Sequence, residues 1–130
     1  MLREGQSDSA TVLVVDDNDA VARALTRVLR NEGYGVAAFG SGLEALSYAE
    51  NAPPPAAAVV DIHLPDISGL VLSSKLREVL GPTRPIIILS ADTSMENLKT
   101  LPYVGATYFL SKPLNSTHLL DQLKALAGSS

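Results

Sequence analysis

At 130 residues the chain is long enough to bury one core without staples, and it has no cysteine, which excludes disulfides and thiolate metal sites. Its formal charge of −4, from 10 Lys and Arg against 14 Asp and Glu with no basic block, argues against direct nucleic-acid binding and against an anionic membrane surface. No apolar run approaches the roughly 18 residues of a membrane span, and Met1 to Ala10 lacks the apolar stretch of a signal peptide, so a cytoplasmic protein is expected.

Residues 1–10 carry little that could be buried to offset the entropy of ordering them, and are expected to form a flexible tail. Thr11-Val12-Leu13-Val14-Val15 is a β-branched run that ends directly in Asp16-Asp17-Asn18-Asp19, a strand delivering carboxylates at its C-terminal end. Val21, Leu25, Val28 and Leu29 then form the stripe of an amphipathic helix that Gly33 closes in the left-handed conformation. Gly35 to Phe39 reads as a weaker strand, and Ser41-Gly42-Leu43-Glu44 as a capping box opening a helix to about Glu50. Pro53-Pro54-Pro55 is a stiff connector into a strand from Ala56 to Asp61, whose alanines are modest strand formers and must be held by burial.

After the turn at Pro65, Leu72, Leu76, Val79 and Leu80 repeat at helical spacing until Gly81-Pro82. Pro85 to Ser90 is the strongest strand and ends in a hydroxyl. Thr93 to Glu96 fits a second capping box, for a helix that Pro102 limits to about two turns. Gly105 to Leu110 reads as a fifth strand running into Ser111-Lys112-Pro113, and a last helix capped by Asn115 or Ser116 places Leu119, Leu120, Leu123 and Leu126 on its core face. Five strands alternating with five helices imply an α/β/α sandwich around a parallel sheet, with right-handed crossovers. Residues 11–127 are expected to be one domain, and 128–130 a C-terminal tail.

In a parallel sheet all C-terminal strand ends share one edge, so Asp16, Asp17, Asp61, Ser90 and Lys112 are expected to converge there. Crowded carboxylates raise one another's pKa, and a hard cation relieves the repulsion; oxygen donors without a Cys/His cluster favour Mg²⁺ over zinc. Lys112 and the Ser90 hydroxyl suit the oxygens of a phosphoryl group.

These residues resemble the receiver domains of bacterial two-component response regulators, which have a flavodoxin-like sheet of strand order 2-1-3-4-5. The resemblance covers roughly Thr11 to Leu126 and rests on Asp16-Asp17 after the first strand, Asp61-x-x-x-Pro65-x-x-x-Gly69 after the third, Ser90-Ala91 after the fourth and Phe109-Leu-Ser-Lys112-Pro113 after the fifth. It implies that Asp61 accepts a phosphoryl group from a histidine kinase or histidine phosphotransfer protein, and that Asp16, Asp17, Asp61 and the His63 backbone carbonyl hold Mg²⁺. It implies further that Ser90 and Lys112 bind the phosphoryl oxygens, that Phe109 is the switch aromatic, that Lys112-Pro113 is a cis peptide, and that His63 and Asp92 tune the lifetime of the phosphoryl group. Output would pass through the face made by the fourth helix, fifth strand and fifth helix, to a downstream partner or a homodimer. Ser90 stands where Thr is commoner in the family, and Phe109 where Tyr is common.

Plainer readings stand beside these. The His63 side chain and His118 read as exposed, Asp19 and Asp66 as caps, and Phe109, taken alone, as core. Two other functions fit the same strand ends: a Mg²⁺-dependent aspartyl phosphohydrolase, which would normally carry an acid two residues after its nucleophile where this chain has His63, and a receiver-like docking module without phosphorylation.

Overall fold

The five expected strands form, and each is parallel to its neighbours: β1 (Thr11–Val15), β2 (Gly35–Phe39), β3 (Ala57–Asp61), β4 (Ile86–Ser90) and β5 (Tyr108–Ser111), in the order β2-β1-β3-β4-β5. The computed structural model describes residues 10–90, 105–112 and 115–126. Among them are four helices: α1 (Asp19–Asn31), α2 (Gly42–Asn51), α3 (Gly69–Leu80) and α4 (Ser116–Leu126). The helix expected at 93–101, Asp92, the Lys112-Pro113 peptide form, the Leu126 side chain and the tails at 1–9 and 128–130 lie outside the described residues.

Strand alternation sorts the core into two faces. Val12, Val14, Ala57, Val59, Ile87, Leu89 and Leu110 pack with Leu25 and Leu29 of α1 and with Leu119 and Leu123 of α4. Leu13, Val15, Ala58, Val60, Ile86 and Ile88 pack with Ala45 and Ala49 of α2 and with Leu72, Leu76 and Leu80 of α3. All five residues of β3 are buried, so burial does hold this alanine-containing strand in place of intrinsic propensity.

The helix ends follow the local chemistry. Gly33 (φ 94°) closes α1: its N–H donates to the Arg30 carbonyl and that of Tyr34 to the Leu29 carbonyl, the paired bonds of a Schellman motif. At the other end Asn18, not Asp19, is the cap; its side chain accepts from the Val21 N–H, while Asp19 is the first helical residue and pairs with Arg23 at 2.6 Å. For α4 the choice falls on Asn115, whose side chain accepts from the His118 N–H.

The fifth strand starts three residues later than the apolar run suggests. Gly105 adopts φ 77°, outside the β region, and the Thr107 hydroxyl accepts the Ile86 N–H at 3.0 Å, a place the backbone ladder would otherwise fill. Arg77 fixes this turn. Its Nε donates to the Gly105 carbonyl at 2.9 Å, Nη1 to the carbonyls of Gly81 and Arg84 at 2.7 Å each, and Nη2 to the Thr107 hydroxyl at 3.1 Å.

Candidate functional site

The sheet topology makes the site. Chain order reverses at β1, with β2 on one side and β3, β4 and β5 on the other, which leaves a crevice beyond the C-terminal ends of β1 and β3. In the β1–β3 register Val15 lies opposite Val60, so Asp16, one residue past β1, stands beside Asp61 at the end of β3. Alternation carried one residue beyond β1 and β5 puts Asp16 and Lys112 on the same sheet face as Asp61. The three side chains do meet: Lys112 Nζ is 3.0 Å from Asp16 Oδ2 and 3.3 Å from Asp61 Oδ2.

Oxygens of Asp16, Asp17 and Asp61 all lie within 4.8 Å of one another. The Asp16 and Asp61 side chains are 0% and 7% exposed and that of Lys112 22%, whereas Asp17 is open to solvent, so the cluster has a closed back and an open front. Backbone amides hold the buried pair. The Asn18 N–H donates to Asp16 Oδ1 at 2.9 Å and the His63 N–H to Asp61 Oδ1 at 3.2 Å.

Among the described residues, three carboxylates against one ammonium leave the crevice negative. Burial pushes the Asp61 carboxyl above the ordinary carboxylate value and Asp16 pushes it the same way, while the His63 N–H and Lys112 oppose them. Burial alone would lower Lys112, but Asp16 and Asp61 outweigh it and hold the ammonium above its usual range. Asp16 Oδ2 is fully buried and, although Lys112 stands beside it, receives no well-directed hydrogen bond. An all-oxygen set with spare lone pairs and excess negative charge fits a hard divalent cation.

Ser90 is fully buried at the end of β4, one strand from Asp61. Its carbonyl accepts the Lys112 N–H at 2.9 Å, which ties the lysine backbone to β4. Phe109, half-buried, packs on the opposite face, against the α2–α3 core, and pairs with Ile88 in the β4–β5 register. The His63 and His118 side chains are exposed, as expected; His118 meets the Tyr108 ring edge-on with centroids 6.3 Å apart.

Glycine at position 69 has a physical reason. A Cβ there would overlap the Asp61 carbonyl oxygen and lie 2.7 Å from Ile62 Cα, and the Gly69 N–H donates to the Ile62 carbonyl at 2.8 Å. The start of α3 therefore presses directly on the backbone of Asp61.

The family model described as the response regulator receiver domain matches residues 12–124. The chain belongs to this family. As a receiver domain it is similar to the probable transcriptional regulatory protein TcrX of Mycobacterium tuberculosis, 32% identical over 125 residues that make up 96% of this chain and 53% of TcrX. Among solved structures it resembles a CheY-like receiver domain protein of Methanospirillum hungatei, with TM-score 0.85, 30% identity and coverage of 93% of this chain and 95% of that one. It also resembles a response regulator of Burkholderia pseudomallei determined with a phosphorylated aspartic acid, a calcium ion and citrate, with TM-score 0.82, 31% identity and coverage of 93% and 70%. The chain spans about half or less of the length of the curated relatives it matches. Among the described residues no helix of this receiver domain is long and apolar enough to cross a membrane.

One site feature had escaped the sequence reading. Asp66 does act as a cap, but of α2, a helix more than 20 residues earlier: it accepts from the Ser41 hydroxyl at 2.6 Å and from the N–H groups of Gly42 at 3.0 Å and Leu43 at 2.9 Å. The helix that follows Asp66 in the chain is capped by Ser68. An acidic residue in a turn signals a cap, yet nothing local names a distant helix as its target.

Proposed function

We propose that Asp61 is the phosphoacceptor of a two-component phosphorelay, taking its phosphoryl group from a histidine kinase or histidine phosphotransfer protein with Mg²⁺ held by Asp16, Asp17, Asp61 and the His63 carbonyl. The observation that carries this reading is a nearly buried carboxylate with an ammonium 3.3 Å away and two further carboxylates within 4.8 Å. The phosphorylated aspartic acid and calcium ion of the B. pseudomallei relative support it.

Transfer forms a bond from an Asp61 carboxylate oxygen to phosphorus as the phosphorus–nitrogen bond of the donor histidine breaks, so the residues need only align the nucleophile and offset charge on the transferring oxygens. Bound Mg²⁺ would supply most of that neutralisation. The His63 N–H orients Asp61, Lys112 pairs with a phosphoryl oxygen, and the Ser90 hydroxyl donates to another. His63 and Asp92 tune hydrolysis of the product, and the fourth-helix, fifth-strand, fifth-helix face carries the output to a partner or a second copy. The receiver spans residues 11–127 and works in the cytoplasm, as a signalling phosphoacceptor that catalyses only its own phosphorylation and dephosphorylation. The phosphohydrolase reading is weaker, because the residue two after Asp61 is His63 and no acid stands there.

Incubation with acetyl phosphate and Mg²⁺ followed by intact-mass measurement tests this. The parent gains one phosphoryl group and Asp61→Asn gains none; equal labelling of the variant would show that the site is elsewhere.

A further inference from the structure

Building on the metal-assisted reading above, we propose that Asp66 is a positioning residue for that chemistry: it latches the 62–69 loop to the N-terminus of α2, and its loss weakens divalent-cation binding without unfolding the domain. The loop carries His63, and its base is fixed by the Gly69 N–H to the Ile62 carbonyl and by the His63 N–H to Asp61 Oδ1. Between these points the chain borders an open hollow of about 510 Å³ lined by Ile62 to Ser68 and Leu70 on one side, while Leu64 and Ile67 pack against the α2–α3 core on the other.

Asp66 adds a directional polar hold to that packing. Besides the Ser41 hydroxyl and the Gly42 and Leu43 N–H groups, it accepts its neighbour Ile67 N–H at 3.0 Å, four donors on one carboxylate. Ser41 in turn accepts the Glu44 N–H at 3.2 Å, so the first three amides of α2 are satisfied jointly by the helix and by the phosphorylation loop. The N-terminal end of the helix dipole favours an anion at this point. Ser41 and the amides hold the Asp66 carboxyl well below the usual carboxylate range, the mark of a charge that its surroundings favour.

An apolar contact reinforces the latch. A Cβ on Gly42 would lie 2.8 Å from Ile67 Cγ1 and 3.3 Å from Leu64 Cδ1, so the loop side chains press on the helix end where only glycine leaves room. Farther along, α2 is fixed to the core by Ala45 and Ala49. The loop bearing a backbone ligand is thus referred to a rigid element by a group that touches neither metal nor phosphate, the relation in which outer partners tune metal affinity.

The test is Mg²⁺ binding by titration calorimetry on the full chain, with Mn²⁺ binding by electron paramagnetic resonance as a second readout and thermal unfolding in EDTA to follow stability. Asp66→Ala is expected to bind Mg²⁺ about tenfold more weakly while still folded at the titration temperature, and Asp66→Asn, which keeps one acceptor oxygen, to fall in between. An Asp66→Ala dissociation constant within about twofold of the parent, with only the melting temperature lowered, overturns the proposal. So do equal losses in both variants that vanish at high salt, since that pattern means long-range charge and not position. If Asp66→Ala fails to fold, Asp66→Asn decides, measured at high salt so that long-range charge is screened: Mg²⁺ affinity equal to the parent's there refutes the latch. If the parent itself binds no Mg²⁺, the metal-assisted reading fails and the latch proposal with it.

Discussion

Lys112 has one role visible in its contacts and a second proposed for it, and a single substitution separates the two. Without metal its ammonium offsets two buried carboxylates at 3.0 and 3.3 Å; with a phosphoryl group on Asp61 it would turn to an anionic oxygen. Lys112→Ala removes a cation from the place that Mg²⁺ approaches, so metal affinity is expected to hold or rise. Phosphorylation should still occur, but without the structural response that depends on pulling β5 toward the phosphoryl group. Calorimetry and amide exchange with a phosphoryl mimic check both halves, and a large fall in Mg²⁺ affinity would contradict the assigned geometry. Asp16, Asp17, Asp61 and Lys112 were legible in the sequence because each stands at a strand end, where topology alone brings scattered residues together. The partners of Asp66 and Arg77 were not, because most of them are backbone groups, N–H donors for Asp66 and carbonyls for Arg77, and no side-chain pattern encodes those.

Arg77 shows the same principle at the scale of elements. Its guanidinium joins the end of α3, the loop into β4 and the turn before β5 through three carbonyls and one hydroxyl, and no carboxylate is among those partners. Arg77→Ala leaves the Gly81, Arg84 and Gly105 carbonyls to partly solvated surroundings and is expected to cost about 2 kcal/mol in urea unfolding. A loss below about 0.5 kcal/mol would mean that water replaces the clamp. This turn is also where the sequence misplaced β5: Gly105 and Ala106 extend an apolar run, and only the clamp and the positive φ show that the ladder begins at Tyr108. At the end of α2 the consequence is a pH dependence. A carboxyl whose folded pKa lies below its unfolded value stabilises fully above the unfolded value, and loses that contribution as pH falls through the folded one. The stability gap between the parent and Asp66→Asn should therefore be flat from neutral pH down to the ordinary carboxylate range and shrink below it. Acid titrations followed by circular dichroism test this, and a gap that widens as pH falls would reverse the assigned sign.

For the whole molecule the question is how a charge change at one sheet edge reaches a binding surface. Ser90 and Phe109 occupy neighbouring strands, and alternation places both on the α2–α3 face: Ser90 follows Ile86 and Ile88 in β4, and Phe109 pairs with Ile88. Ser90 is fully buried and Phe109 only partly so, which leaves the ring area to gain by moving inward. If the Ser90 hydroxyl is drawn toward a phosphoryl group, space opens on that face, and a phenyl ring with no hydroxyl to keep it at the surface gains by filling it. Lys112 is bonded to the Ser90 carbonyl through its own N–H, so a shift of Lys112 toward the phosphoryl group would move β5 in the same direction. Together the two shifts would bias the population toward an altered β5 surface, and phosphorylation and partner binding would then be linked through the same strand. Amide exchange with and without beryllofluoride is expected to show altered protection at Tyr108 to Ser111 as well as around Asp16 and Asp61, with the β5 component lost in Phe109→Ala. Changes confined to the loops flanking Asp16 and Asp61, with none in β5, would refute this route.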